Sequence, residues 1–244
     1  YGTTLSPVLL IMGFLPLQVV PSVLLGQLVG GLVGGFFHHR LGNIKLDFRQ
    51  DKAIKKRLHW LGYIPSSLDS KVILVLATCG IIGALAAVLF ALSIPTIILK
   101  TYIGVMVLAI GIGILIWRKR ESNFSWKGLI TIGLISAFNK GASGGGYGPL
   151  VTGGQLISGR EAKSSVGSTT LAEAVVCIVA FVSYVVFKGD IYWTLAAATS
   201  IGSVVAAPFA AMTVRRVNAG KLKFAIGVIT CLLGTLTLAK TFVF

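Results

Sequence analysis

The sequence predicts an all-α integral membrane protein made of two inverted repeats, each a broken-helix hairpin followed by three transmembrane helices. Hydrophobic residues make up 55% of the 244 residues, and the mean hydropathy is +0.89. Apolar runs of about 20 residues, the length needed to cross a bilayer, recur along the chain. The two halves of the sequence also resemble each other, and a glycine-rich segment interrupts the second half.

Six apolar runs are long enough to be simple membrane spans. They cover residues 16–37, 71–92, 96–117, 162–187, 191–214 and 222–244. Two further runs, 2–14 and 127–157, are too short or too interrupted to be simple spans. These runs leave no room for a sizeable soluble domain, so the lipid bilayer is the expected surrounding of most of the chain.

The basic residues predict the orientation of the spans. The net charge is +15, and 18 of the 22 lysines and arginines lie in residues 38–71, 118–127, 160–163 and 215–223. Cytoplasmic loops of membrane proteins carry the excess of Lys and Arg, so these segments are expected on the cytoplasmic side of the cell membrane. Binding to nucleic acid is disfavoured because the charges lie in short loops between spans.

The two halves align in three blocks that occur in the same order. The offsets are 146, 119 and 123, and the matched pairs include Tyr1 with Tyr147, Gln27 with Glu173, Ala87 with Ala206, Gly104 with Gly227 and Gly111 with Gly234. The change of offset corresponds to a long cytoplasmic loop, residues 38–69, in the first half. We therefore expect a first repeat over residues 1–117 and a second over 118–244.

The loop charges make the two repeats inverted. Residues 16–37 end at the cytoplasmic loop, whereas the matched residues 162–187 begin on that side. Residues 127–157 must then leave the cytoplasm and return, so the glycine-rich segment is expected within a helical hairpin. The counterpart of residues 127–146 would precede Tyr1, so the first repeat is expected to lack its opening limb in this sequence. Inverted repeats with discontinuous helices are typical of secondary transporters.

The long loop contains one amphipathic pattern. Within residues 48–61, Ile54, Leu58 and Leu61 share one face of a helix, with basic residues opposite. This pattern is typical of an interfacial helix on an anionic membrane surface. A solvated connecting loop is the alternative.

The glycine-rich segment, residues 138–149, carries the candidate binding residues. Irregular backbone at membrane depth is tolerated only where it is buried in protein or lines a watery cavity. Glycines expose backbone amides, and Pro149 suits the first turn of a helix, whose N-terminus attracts anions. The candidates are Lys140, Ser143, Gly144, Gly145, Gly146, Tyr147 and Gly148, with Thr3 and Thr4 from the first repeat. The alternative is tight helix packing by the glycines, with Lys140 extending to an interface.

Glu173 is the one acidic residue within a predicted span. An ionisable residue in a span suggests function, so Glu173 is expected to pair with Lys140 or to take up protons that couple transport. Its repeat counterpart, Gln27, keeps the hydrogen-bonding shape without the charge. Ser168 and Thr169, one turn before Glu173, complete the candidate polar lining, although such hydroxyls often bond to their own helix.

Cysteine and histidine spacing gives no sign of a metal site, and no cofactor is predicted. Cys79, Cys177 and Cys231 lie singly in apolar runs. His38, His39 and His59 lie in or beside the basic loop without further ligands, and are expected in solvent or among lipid headgroups.

The sequence Gly-Ala-Ser-Gly-Gly-Gly-Tyr-Gly-Pro at residues 141–149 is the most specific motif of the chain. It is followed by Ser158-Gly159-Arg160, Ala162-Lys163-Ser164, Val166-Gly167 and Leu171-Ala172-Glu173, and the first repeat has Tyr1-Gly2-Thr3-Thr4-Leu5-Ser6-Pro7. At these residues the sequence resembles the TauE/SafE sulfite exporter family. The resemblance implies transport of sulfite, sulfonates or related small anions across the cytoplasmic membrane, without ATP hydrolysis by this chain.

The leading hypothesis is a secondary transporter or exporter of a small sulfur-containing anion. Lys140 would attract the anion, the amides of residues 143–148 and of Thr3 and Thr4 would hold it, and Glu173 would couple its movement to protons. A passive anion channel and a transporter of another small organic anion are the alternatives. An enzyme is not expected, because no cysteine or His/Asp set accompanies the polar cluster.

Overall fold

The computed structural model describes residues 1–51, 63–117, 123–214 and 219–242. Within these residues the chain forms nine α-helices and one two-stranded hairpin. The helices are α1 (Gly2–Ile11), α2 (Pro16–Arg40), α3 (Leu68–Ser93), α4 (Thr96–Trp117), α5 (Trp126–Ser143), α6 (Tyr147–Ile157), α7 (Ala162–Lys188), α8 (Trp193–Val214) and α9 (Ala219–Phe242). Strands β1 (Phe48–Gln50) and β2 (Tyr63–Pro65) pair antiparallel.

Five helices of the described chain are long and apolar enough to cross a membrane, namely α2, α3, α4, α7 and α8. They coincide with five of the six predicted spans. The sixth corresponds to α9, whose described apolar stretch, Gly227–Phe242, is shorter. Helices α5 and α6 share the interrupted run, and α1 occupies the other short one. The predicted all-α membrane fold is confirmed, and the protein is a multi-pass membrane protein.

Local sequence explains where several helices begin. The Ser67 hydroxyl accepts a hydrogen bond from the Ser70 backbone N–H at 3.1 Å and caps α3. Ser125 caps α5 in the same way through the Gly128 N–H. Helix α2 begins with Pro16, which has no backbone N–H and therefore leaves no unpaired donor in the first turn. These caps satisfy backbone groups that a helix end leaves without partners.

Helices α2 and α7 form the centre of the bundle and run antiparallel. Gly167 packs against His38, Gly35 against Leu171 and Gly31 against Ala174, so one residue number rises as the other falls. Helix α8 lies beside α2 and runs parallel to it, with Gly26, Gly30 and Gly34 facing Thr199, Ser203 and Ala207. The small residues of α2 thus allow two neighbouring helices to approach its backbone closely.

Helices α4 and α9 pack antiparallel through reciprocal glycine contacts. Gly104 faces Leu238 and Gly227 faces Leu115, while Gly111 faces Cys231 and Gly234 faces Leu108. The sequence offset of 123 converts each contact into its equivalent in the other repeat. Gly104 and Leu238 become Gly227 and Leu115, and Gly111 and Cys231 become Gly234 and Leu108. A two-fold axis between the helices would produce this pattern. The inverted repeat remains a prediction, and these contacts support it.

The bundle has two ends, which we name by the helix termini found there. At the basic end α2 finishes at Arg40, α3 begins at Leu68 and α7 begins at Ala162, and loop contacts join them. Asn43 donates to the Ala211 carbonyl at 3.0 Å, and Ser164 donates to the Asn43 carbonyl at 3.2 Å. At the opposite end the Phe14 and Tyr192 rings lie 6.1 Å apart.

The long loop differs from the sequence prediction in two respects. Phe48–Gln50 is a strand rather than the start of an interfacial helix, and the rest of that pattern, with His59, lies outside the described residues. His38 was expected in solvent or among headgroups, but it is buried within the last turn of α2. The Asn43 amide and the His38 Nδ1 atom lie 3.0 Å apart, so this loop folds back over the helix end and covers the ring.

Candidate functional site

The break in the second half is shorter than predicted. Helix α5 continues through Lys140 and Gly141 to Ser143, and α6 begins at Tyr147, so only residues 144–146 are non-helical. Gly144 has a φ of 72° and Gly146 a φ of 83°, a left-handed conformation that glycine adopts without steric penalty. The Ser143 hydroxyl accepts a hydrogen bond from the Gly145 N–H at 3.1 Å and holds this turn.

The N-termini of α1 and α6 meet at the break. The Gly146 N–H donates to the Thr3 hydroxyl at 2.9 Å. A Cβ atom on Gly145 would lie 2.9 Å from the Thr3 Cα, so the two backbones are in direct contact. Helix N-termini carry partial positive charge and unpaired N–H groups. The structure therefore brings together the two segments that the sequence repeat relates.

Lys140 is fully buried and paired with Glu173. Its Nζ lies 2.9 Å from the Glu173 Oε1 and donates to the Gly144 carbonyl, also at 2.9 Å. The predicted pairing of these two residues is therefore confirmed. A buried charge left without its partner is strongly unfavourable, so each residue makes the ionised form of the other tolerable.

Gln27 and Glu173, which are equivalent in the repeat, touch each other. The Gln27 Nε2 donates to the Glu173 Oε1 at 3.0 Å. The Gln27 Oε1 is buried and has no hydrogen-bond partner among the described residues. A residue can contact its own repeat counterpart only near an axis that relates the repeats. This contact therefore also supports the predicted two-fold relation.

A cavity of about 850 Å³ adjoins this cluster. It runs from Thr3, Gln27 and Glu173 toward the basic end, where His38 and Ile157 line it. The half of the bundle toward the opposite end is packed instead by buried apolar residues, among them Val19, Val20, Val88, Leu99 and Tyr184. Among the described residues, the cavity lining extends from the ion pair toward the basic end.

The predicted site residues fall into two groups. Those that line the cavity are Thr3, Thr4, Gln27, Gly148, Thr169 and Glu173. Those that are buried behind it are Lys140, Ser143, Gly144, Gly145, Gly146, Tyr147 and Ser168. Glu173 thus lies between Lys140 and the cavity. The binding role of each residue stays a prediction.

A second buried ion pair at the basic end was not predicted from the sequence. The Arg160 guanidinium bonds to Asp69, with side chains only 7% and 12% exposed, and also donates to the side-chain Oε1 of Gln155. Ser168 donates to the same Gln155 oxygen at 3.0 Å, and the Gln155 amide donates to Thr169 at 2.9 Å. Burial lowers the pKa of Arg160, and the charge of Asp69 opposes that shift. The cluster ties the end of α6 to α3 and α7.

Membrane-crossing helices with a broken helix that meets the N-terminus of another short helix beside a cavity are typical of membrane transporters. The chain belongs to the family "Sulfite exporter TauE/SafE", because the sequence model of that family matches residues 59–237. The chain is also similar to the "Probable membrane transporter protein YtnM" of Bacillus subtilis (strain 168). The identity is 24% over 255 residues, which cover 100% of this chain and 77% of the relative. No solved structure gives a significant match.

These findings agree with the architecture. The family match covers α3 to α8, and with them the break and Glu173. Family and relative together support a membrane transporter, and family membership implies a protein that is not an enzyme.

Proposed function

We propose that this transporter carries a small sulfur-containing anion, such as sulfite or an organosulfonate, across the cytoplasmic membrane. The substrate binds where Glu173 separates Lys140 from the cavity. The observation that carries the proposal is a buried lysine beside the N-termini of α1 and α6, paired with a glutamate that lines a cavity. The family description supports the choice of a sulfur oxyanion.

The chemistry around the cavity suits an oxyanion. A lysine ammonium offers three donors, and helix N-termini offer N–H groups and partial positive charge. The hydroxyls of Thr3, Thr4 and Thr169 line the same cavity. We assign contact with the substrate to these groups and Gly148. We assign to Ser143, Gly144 and Gly146 the task of fixing the break.

Glu173 is the residue we assign to proton coupling. Its carboxylate faces both the cavity and Lys140, so its protonation state decides whether the lysine charge is neutralised. The cavity extends to the basic end, which the loop charges place in the cytoplasm. This conformation is therefore assigned as the one that exchanges substrate with the cytoplasm.

A passive channel requires a continuous path, whereas the opposite half of this bundle is packed with apolar side chains. Counterflow separates the two functions. Purified full-length protein in proteoliposomes is loaded with unlabelled sulfite, and uptake of labelled sulfite is measured. A transporter takes up label faster with sulfite inside than without it. A channel shows no such stimulation, and uptake no greater than in protein-free liposomes contradicts sulfite transport.

Thermal stabilisation identifies the substrate class. Sulfite, methanesulfonate and acetate are added separately to the purified protein. A ligand at about 100 times its Kd stabilises the folded state by about 2.7 kcal/mol. We expect stabilisation by sulfur oxyanions and not by acetate. The reverse order of effects would favour transport of another organic anion.

A further inference from the structure

Glu173 is the only group that compensates the charge of Lys140 among the described residues. The Lys140 ammonium contacts the Glu173 carboxylate and the Gly144 carbonyl, which is polar but uncharged. The Lys140 side chain has no exposed surface, whereas 13% of the Glu173 side chain is exposed and the residue lines the cavity. A molecule in the cavity therefore meets Glu173 before it meets Lys140.

This arrangement makes the glutamate carboxylate and a substrate anion competitors for one cation. While Glu173 is ionised, Lys140 is neutralised and the carboxylate repels an approaching anion. When Glu173 is protonated, Lys140 becomes a buried charge without a counter-ion, a state that is strongly unfavourable. An anion that binds at that moment restores the balance of charge.

We propose that the substrate replaces Glu173 as the counter-ion of Lys140, and that Glu173 takes up one proton as this happens. The proposal rests on the proposed anion transport with Glu173 as its coupling residue, and adds how the proton is exchanged for the anion and which charge the site selects. The proton moves from water in the cavity to a Glu173 carboxylate oxygen, and no covalent bond to the substrate forms. Each anion then crosses the membrane with one proton.

Charge selectivity follows from the same replacement. A monoanion, such as hydrogensulfite or an alkanesulfonate, replaces the single negative charge that Glu173 loses when it is protonated. A dianion such as sulfate leaves one negative charge uncompensated in a buried site, which is unfavourable. The site is therefore specific for singly charged oxyanions.

Gln27 is suited to hold Glu173 in both protonation states. Its amide donates to the carboxylate Oε1 at 3.0 Å, and its own Oε1 is buried without a partner. A primary amide carries both a donor and an acceptor, so it can also accept the O–H of a protonated glutamate. Gln27 is thus a positioning residue for the coupling proton.

The surroundings of Glu173 contain few other groups that titrate. Those that face it are Lys140 from α5, the phenol of Tyr147 from α6, the backbone nitrogen of Tyr1 ahead of α1 and the thiol of Cys177 on α7 itself. From α2 the neutral amide of Gln27 faces it. Lys140 is the side-chain cation among these groups, so removing the charge of Glu173 acts directly on Lys140.

The test measures proton movement with methanesulfonate, which stays a monoanion at working pH and carries no proton of its own. Full-length protein is reconstituted in vesicles that contain a pH-sensitive dye. Wild-type uptake of methanesulfonate should acidify the lumen by about one proton per anion. Sulfate should give less than a tenth of that uptake.

Glu173→Gln keeps the shape and removes the titration. We expect it to retain measurable counterflow of labelled methanesulfonate, because the bound anion then balances Lys140, but to show no acidification of the lumen. Glu161→Gln, at the exposed pair with Lys163, is the matched control and should behave as wild type. If methanesulfonate is not carried, labelled sulfite replaces it, and Glu173→Gln should keep exchange but lose accumulation driven by a pH gradient.

Gln27→Glu gives a second readout, the pH dependence of transport, which would not change if Gln27 had only a structural role. A second carboxylate about 3 Å from Glu173 favours protonation, because like charges disfavour ionisation. Transport by this variant should persist to a pH about one unit higher than in wild type.

The possible failures can be told apart. Three results would overturn the replacement of the counter-ion while leaving anion transport intact. They are wild-type uptake without acidification, accumulation driven by a pH gradient that persists in Glu173→Gln, and an unchanged pH profile of transport in Gln27→Glu. No uptake of either anion by wild-type protein overturns the proposed function itself.

Discussion

Two buried ion pairs have different places in the molecule. Lys140 and Glu173 lie beside the cavity, whereas Arg160 and Asp69 lie at the basic end, where they join three helices. A buried pair contributes little net stability compared with apolar packing, but loss of one partner leaves an uncompensated charge. The pair at the cavity can therefore act as a switch if another anion replaces the carboxylate. Neither Arg160 nor Asp69 is among the residues that line that cavity, so we assign the pair at the basic end a structural role.

Asp69→Asn should destabilise the protein because it leaves the guanidinium of Arg160 buried without its counter-charge. We expect a loss of about 3 kcal/mol in the free energy of unfolding, measured as a lowered Tm of the purified protein. Arg160→Gln combined with Asp69→Asn should recover at least half of the loss, since it removes both charges.

Glu161→Gln is the control for a salt bridge of the opposite kind. Glu161 and Lys163 are 3.1 Å apart, but their side chains are 69% and 48% exposed. Exposed pairs contribute little, so the change should stay below about 0.5 kcal/mol. Equal effects of Asp69→Asn and Glu161→Gln would show that the Arg160 cluster does not stabilise the basic end.

At the scale of elements, the break depends on two glycines with left-handed backbone. Gly146 caps α6 with a φ of 83°, and a Cβ there would lie 2.9 Å from the Met106 sulfur. A side chain on this residue would therefore strain the start of α6. The start of α6 positions the Gly146 N–H, which donates a hydrogen bond to the Thr3 hydroxyl. This hydrogen bond joins α1 to α6.

Gly146→Ala should lower both stability and transport. The left-handed backbone costs a residue with a Cβ about 1 to 2 kcal/mol, and the contact with Met106 adds to this. Melting and sulfite counterflow measure the two effects. Gly202→Ala is the matched control, because a Cβ on this helical residue of α8 meets no atom within 4 Å. A Gly202 effect as large as that of Gly146 would contradict the assigned role of the break.

The sequence predicted the spans, the break and the pairing of Lys140 with Glu173, because each has a local signal. Long apolar runs must cross the bilayer, and an ionisable side chain inside one needs a partner. Arg160 and Asp69 were missed because charges at span ends are expected to orient the chain in the membrane. The break was placed too early because the whole glycine-rich segment, residues 138–149, was taken as the interruption, although Gly141 packs within α5 against Ala84 and Ala87. Burial of His38 depends on a loop that folds back, which no local pattern reveals.

At the scale of the whole molecule, the account requires that corresponding helices cross the membrane in opposite directions. The antiparallel packing of α2 with α7 and of α4 with α9 agrees with this requirement. In this arrangement the N-termini of α1 and α6 meet at the break. The site then lies between the repeats, as expected of a transporter whose two sides open in turn.

Cysteine labelling in cells tests the inversion. In a background with Cys79, Cys177 and Cys231 replaced by alanine, single cysteines are placed at exposed loop positions. An impermeant reagent should label Met12→Cys and Asp190→Cys on intact cells, and should label His39→Cys and Glu161→Cys only after permeabilisation. Labelling of Met12→Cys and Asp190→Cys from different sides would contradict inverted halves.

The central claim is that the charge of Lys140 binds the substrate anion. The most direct test compares the sulfite-dependent rise in Tm of Glu173→Gln with that of Lys140→Met combined with Glu173→Gln. Removing both charges leaves no unpaired buried ion, so the double variant should fold. The account predicts that sulfite stabilises Glu173→Gln and has no effect on the double variant. Equal stabilisation of both variants would contradict it.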